Sequence, residues 1–244
     1  MRPLSAAELL DAWERGLSEP GQRRALALLA AACPNVSSDA VAALSIGQRD
    51  RRLLTLREWS FGPQLASVSA CSRCGERLEW TTDIRDLRAA ERPGPSGELS
   101  LEVDGYKISF RLPNTLDLAA AAECVDPSAA RLTILERSVI TARRGDQMIT
   151  TSDLPVAVVE AIEKQMAEVD PQANLQLDLS CPACGHRWQV LFDIGSFFWS
   201  ELNAWAQRLL AEVHVLASAY GWREADILNL SPSRRQFYLG LISG

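Results

Sequence analysis

Histidine and lysine are almost missing from this chain of 244 residues: His186, His214, Lys107 and Lys164 are all there are, and arginine supplies the other 23 basic side chains. Two histidines with no recognisable partner leave a Ser–His–Asp catalytic arrangement without footing. No stretch reaches the roughly 18–20 apolar residues that a membrane-crossing helix needs. The first eight residues lack the basic-then-apolar layout of a secretory signal, so a cytoplasmic, reducing location is expected. Neither a phosphate-cradling GxxxxGK[ST] nor a dinucleotide GxGxxG is present, and no small-molecule substrate is indicated. A formal net charge of −6 argues against broad contact with phosphate backbones, so nucleic acid is an improbable partner. Alanine and leucine dominate the apolar residues, which points to helix as the majority state.

Against two histidines stand six cysteines. Cys33 and Cys124 follow alanine-rich helical stretches and read as small core residues. The other four form two CxxC pairs, Cys71/Cys74 and Cys181/Cys184, each followed by glycine. Two thiolates so spaced can grip one metal while backbone amides turn toward sulfur, and glycine permits the positive-φ exit. A shift of 110 places Cys71, Cys74, Gly75, Arg77 and Asp83-Ile84 on Cys181, Cys184, Gly185, Arg187 and Asp193-Ile194. Residues 78–80 and 188–190 both read as strand. Each copy is therefore strand, knuckle, strand, one half of a zinc ribbon.

Neither half has two further ligands nearby, so one Cys₄ site closed by both halves is the economical arrangement. A thioredoxin-type redox pair would need a helix starting at the motif, and strand-like residues follow instead. The expected site is structural, with one Zn²⁺ per chain and no open position for catalysis. Spacing alone does not separate zinc from iron. His186 adjoins the second knuckle and decorates its rim.

Elsewhere the pattern is mainly helical. Ser5 caps a helix over 6–17, a second runs over 22–33, a short third over 39–44, and Ser45 caps a fourth carrying Ile46, Leu53, Leu56 and Trp59. Residues 91–97 form a turn or loop rich in proline and glycine. Strands over 99–103 and 106–111 flank Asp104-Gly105, a two-residue hairpin signal. Helices follow over 115–124, 129–140 and 155–169, with a turn at Arg143-Arg144-Gly145-Asp146. The long C-terminal helix carries Phe198, Leu202, Trp205, Leu209, Val213, Leu216 and Tyr220 in steps of three and four and ends at Gly221. A short helix over 222–229 and a last one opened by Ser231-Pro232 complete the chain. Arg49-Asp50-Arg51-Arg52 and Arg234-Arg235 read as solvated or salt-bridged faces.

The fold class expected is α+β, mainly α: a helical segment over 1–64, a zinc-ribbon core over 65–195, and helices over 196–244. The half-ribbons occupy 65–90 and 175–195, and the hairpin and helices over 98–170 are inserted between them.

Several segments together resemble the T4-like bacteriophage base plate protein family. They are Leu44-Ser45-Ile46-Gly47-Gln48-Arg49-Asp50 with Leu53-Leu54, Leu56-Arg57 and Phe61-Gly62; the knuckle that follows; and Phe110-Arg111-Leu112-Pro113-Asn114-Thr115-Leu116-Asp117-Leu118. The stretch from Leu179-Ser180-Cys181 to Asp193-Ile194, and that from Ala219-Tyr220-Gly221-Trp222 to Tyr238-Leu239, are similar to proteins encoded with contractile tails and injection systems. The resemblance implies a non-enzymatic part in building the central hub of a base plate, as resident or assembly helper, with other base plate, hub and tail proteins as partners. Tyr220, Trp222, Arg234, Arg235 and Tyr238 are the candidate partner-contact region, the alternative being that Trp222 and Tyr238 only pack the terminal helices together. Two rival readings are a zinc-ribbon nucleic-acid or transcription-associated module and an unrecognised enzyme.

Overall fold

The computed structural model describes residues 1–89 and 97–243, so most of the loop expected over 91–97 lies outside the described residues. Along the chain run α1 (Ala6–Leu17), α2 (Gly21–Ala32), α3 (Ser38–Ala42), α4 (Ile46–Phe61), β1 (Gln64–Ala70), β2 (Arg77–Asp83), β3 (Leu99–Val103) and β4 (Tyr106–Phe110). Then come α5 (Thr115–Ala121), α6 (Pro127–Ser138), β5 (Val139–Arg144), β6 (Gln147–Met148), α7 (Val156–Val169), β7 (Gln176–Ser180), β8 (Arg187–Leu191), α8 (Ile194–Tyr220), α9 (Glu224–Leu228) and α10 (Pro232–Ser243). The protein is mixed α+β with helix in just over half of it. These residues form two compact units, Met1–Asn35 with Gly195–Gly244, and Val36–Ile194.

In the first unit, the Ser5 hydroxyl accepts from the Glu8 amide while the Glu8 carboxylate accepts from the Ser5 amide, which satisfies two free donors at the start of α1. Leu9, Leu10 and Trp13 are buried along α1, and the Trp13 indole donates to Asn203 Oδ1 at 3.1 Å. Gly16 is obligatory here, because a Cβ would stand 2.4 Å from the Trp199 ring. The buried stripe of α8 is Phe198, Leu202, Ala206, Leu209, Val213 and Leu216, with Ala206 inside where Trp205 was expected. Its last turns pack with Ile227 of α9 and with Trp222 and Tyr238.

In the second unit, β3-β4-β5-β6 form an antiparallel sheet. Tyr106, Ile108 and Phe110 project from one face of β4 onto Leu135 of α6 and onto Val158 and Ile162 of α7. The β3–β4 turn has φ of 50° at Asp104 and 77° at Gly105, the type I′ form that matches strand twist. The helix expected over 129–140 ends instead at Ser138, and the chain continues straight into β5. The turn at 143–146 is thus the tip of the β5–β6 hairpin. Val139-Ile140-Thr141 is β-branched and finds its partner on β4, so pairing with a distant strand overrides local helix continuation.

A buried polar junction joins the starts of α4 and α5. Ser45 and Asn114 form a β-bridge, the Ile46 amide donates to Pro113 O at 3.1 Å, and Arg49 reaches Thr115 Oγ1 at 3.4 Å. Asp117 is fully buried; its carboxylate accepts from the Asn114 amide, two nitrogens of Arg111 at 2.6 and 2.9 Å, and Arg137 Nε at 2.8 Å. Arg49 and Asp50, expected on a solvated or salt-bridged face, are paired at 2.7 Å but buried. Burial pushes the Asp50 carboxyl up to about 6, more than the Arg49 charge pulls it down. The Gly47 amide donates to Asp170 Oδ2 at 2.9 Å, an approach that leaves no room for a Cβ.

Candidate metal centre

Each CxxC pair sits in the turn of a two-stranded hairpin, β1–β2 for Cys71/Cys74 and β7–β8 for Cys181/Cys184. The two turns repeat one another bond for bond. Gly75 N donates to Cys71 O and Gly185 N to Cys181 O, both at 2.9 Å, while Cys71 N donates to Glu76 O and Cys181 N to His186 O, both at 2.8 Å. Gly75 at φ 76° and Gly185 at φ 68° take the left-handed exit that β-carbons disfavour. In both pairs the first cysteine is buried and the second lies nearer solvent. The repeat seen in sequence is therefore a structural repeat.

The hairpins bring all four sulfurs within 4.8 Å of one another. Cys71 Sγ lies 3.7 Å from Cys184 Sγ, and Cys74 Sγ 3.6 Å from Cys181 Sγ, so contacts run between the halves. A disulfide requires about 2.05 Å, and none of the cysteines is oxidised. Four sulfurs around one tetrahedral ion at 2.3 Å stand about 3.8 Å apart, close to the spacing present. Arg73 N–H points at Cys71 Sγ at 3.4 Å, the kind of donor that stabilises a thiolate.

The thiols perturb one another. Burial raises Cys71, but amides of Cys74 and Arg73 and neighbouring thiols bring it down to about 7. At Cys74 the Glu76 amide lowers the thiol, yet the sulfurs of Cys184 and Cys181 push it up to about 12. Cys184 is raised too: the His186 amide lowers it, and burial with the Cys181 and Cys71 sulfurs outweighs that. Four thiolates this close repel, and only a cation among them lets all four ionise. His186 stands at the rim, its Nε2 3.2 Å from Ser72 Oγ of the other knuckle and its ring stacked on Trp188.

The remaining candidates lie on the first unit. Tyr220, Trp222 and Tyr238 form one aromatic cluster, with centroids 4.7 Å apart for Tyr220–Trp222 and 4.9 Å for Trp222–Tyr238. Arg235 is buried, bonding Glu212 at 3.0 Å and Leu230 O at 2.8 Å, so it braces α10 from within. Arg234 is exposed. The apolar residues that α10 does expose, Phe237 at 65% and Leu241 at 61%, are legible in the sequence as an apolar side set against Arg234 and Arg235 but were not counted among the partner contacts. Their four-residue spacing was the available signal. Cys33 is buried as expected, whereas Cys124 is only half-buried, its thiol 3.3 Å from Thr133 Oγ1.

Among the described residues no helix is long and apolar enough to cross a membrane. No curated protein and no solved structure matches the chain. A family model described as T4 bacteriophage base plate protein does match, over residues 18–199. That span holds both knuckles and the α4–α5 junction and stops short of the C-terminal segment at 219–239. By this match over most of its length, the chain belongs to the T4 bacteriophage base plate protein family.

Proposed function

We propose that this protein is a non-enzymatic structural or assembly component of the base plate of a contractile phage tail or phage-tail-like injection system, braced by one structural zinc. The observation that carries the reading is the cluster of four thiols, contributed by two hairpins that bracket the 106 residues from Gly75 to Ser180. Four soft thiolates at tetrahedral spacing suit zinc, and a site with all four positions filled by protein holds shape and leaves no place for a substrate. Membership in the base plate family supports tail and base plate proteins as the partners, met in the cytoplasm during assembly and on the finished particle. The face of α10 bearing Phe237 and Leu241, with exposed Arg234 and the Tyr220–Trp222–Tyr238 cluster at its flank, is the proposed partner contact.

Metal analysis of freshly purified protein tests the site: one zinc per chain is expected. Iron in its place, or metal well below one per chain with four freely titratable thiols, overturns the zinc assignment. Deleting the gene in cells that make the particle tests the role. Tubes and sheaths lacking a completed base plate are expected; intact contractile particles would refute it.

A further inference from the structure

Beside the cysteine cluster the two hairpins border an open groove of about 600 Å³ lined by β2 and β7. Its walls are consecutive residues, 77–80 on one strand and 177–180 on the other. Successive side chains of a strand point to opposite faces, so consecutive residues can line one groove only where the strand's edge borders it. Both edges are open: among the described residues β2 pairs only with β1, and β7 only with β8. Neither strand contains proline, although Pro182 just beyond β7 lines the groove together with Thr82, and neither hairpin shows a register shift, two of the devices by which exposed edges are blunted. The two edges run in opposite directions, since Arg77 and Ser180 both lie at the knuckle end.

We propose that this groove receives an extended segment of another polypeptide, which adds a strand between β2 and β7 and joins the two hairpins into one sheet. The size fits: a residue within a packed sheet takes roughly 160 Å³ at 3.3 Å rise, 4.8 Å strand spacing and 10 Å sheet spacing, so the groove holds about four residues. Each strand likewise gives four consecutive residues, 77–80 and 177–180, to the wall. The lining chooses the side chains. Leu78, Trp80, Leu177 and Leu179 are half-buried on alternate positions and call for apolar residues at alternate positions of the incoming strand. Between them Glu79 and Asp178 are exposed, with Arg77 as the single cation at 2.8 Å from Glu79, so the surplus charge is negative and calls for lysine or arginine on the other face. Main-chain bonds supply affinity and alternating pockets supply specificity, as in other strand-addition sites.

The inference rests on the proposed assembly role only for the origin of the partner; the pairing is a property of the purified chain and is tested there. The probe is a library of nine-residue peptides alternating Val, Ile, Leu or Phe with Lys, Thr or Glu, selected on the full-length, metal-bound protein. Enriched peptides should carry lysine, and binding should protect amides of Arg77–Asp83 and Gln176–Ser180 from hydrogen exchange. Methylating alternate peptide amides should weaken binding roughly tenfold or more. The E79K/D178K double variant, checked for unchanged metal content, should switch selection from lysine to glutamate. No enrichment over scrambled peptides, protection elsewhere, indifference to amide methylation, or an unchanged charge preference would each overturn the proposal. A particle that assembles without this protein, with peptide binding intact, would remove the base plate role and leave the groove.

Discussion

Two regions of the same unit are held together in opposite ways. The four-stranded sheet has a buried face, Tyr106, Ile108 and Phe110, covered by α6 and α7. The paired hairpins have almost none: Leu65 of β1 is the one fully buried residue of their strands, and β2, β7 and β8 hold only exposed and half-buried residues. An isolated two-stranded hairpin is marginal in water. Where the sheet excludes water with side chains, the hairpins bring four thiols to one point. With little core of its own, such a pair of hairpins would depend on the metal proposed for those thiols, and its strand edges stay open for other uses.

Metal removal should separate the two regions most sharply. Structural zinc sites in small domains supply about 10–16 kcal/mol, far more than hairpins of this size gain from burial. A strong chelator should abolish exchange protection over Gln64–Asp83 and Gln176–Leu191 while Tyr106–Phe110 stays protected. Simultaneous loss in both would show that the regions are one cooperative body.

The converse change is Phe110→Ala, which empties the centre of the sheet's core. It should cost about 3–5 kcal/mol in denaturant unfolding. Metal content should be unchanged, and a metal-free variant would contradict the division of labour.

The smallest effect sharpens the comparison within the hairpins themselves. Added β-carbons at Gly75 and Gly185 meet nothing within 4 Å, so Gly75→Ala and Gly185→Ala carry only the left-handed backbone penalty. Each should cost about 1 kcal/mol, seen as a several-fold and equal loss of metal affinity in chelator competition. Unequal losses would end the equivalence of the two halves.

What was legible in the sequence is what is decided within a few residues. Ser5 with Glu8 and Ser45 with Gln48 mark helix starts because both ends of a capping box lie in one turn. Asp104-Gly105 announces its hairpin because both residues tolerate positive φ. The knuckles were legible for the same reason, and the 110-residue repeat then paired them. The strands β5 and β6 were not, since Val139–Arg144 is a strand only with β4 beside it. Nor was the fate of the arginines. Arg49 and Arg235 look like surface cations until their carboxylates are in place, and for Arg235 that partner, Glu212, lies 23 residues away.

By itself, then, the sequence determined most local elements, the chemistry of the four candidate ligands and, by its repeat, that two distant knuckles come together. Only the tertiary structure decided which charges leave water and that β2 and β7 face a common groove with both edges open. It also decided that the first 35 residues form one unit with the last 50. The reason is physical. Propensity, capping and ligand geometry act over a turn of chain, whereas burial, strand pairing and charge compensation depend on partners that sequence distance does not reveal.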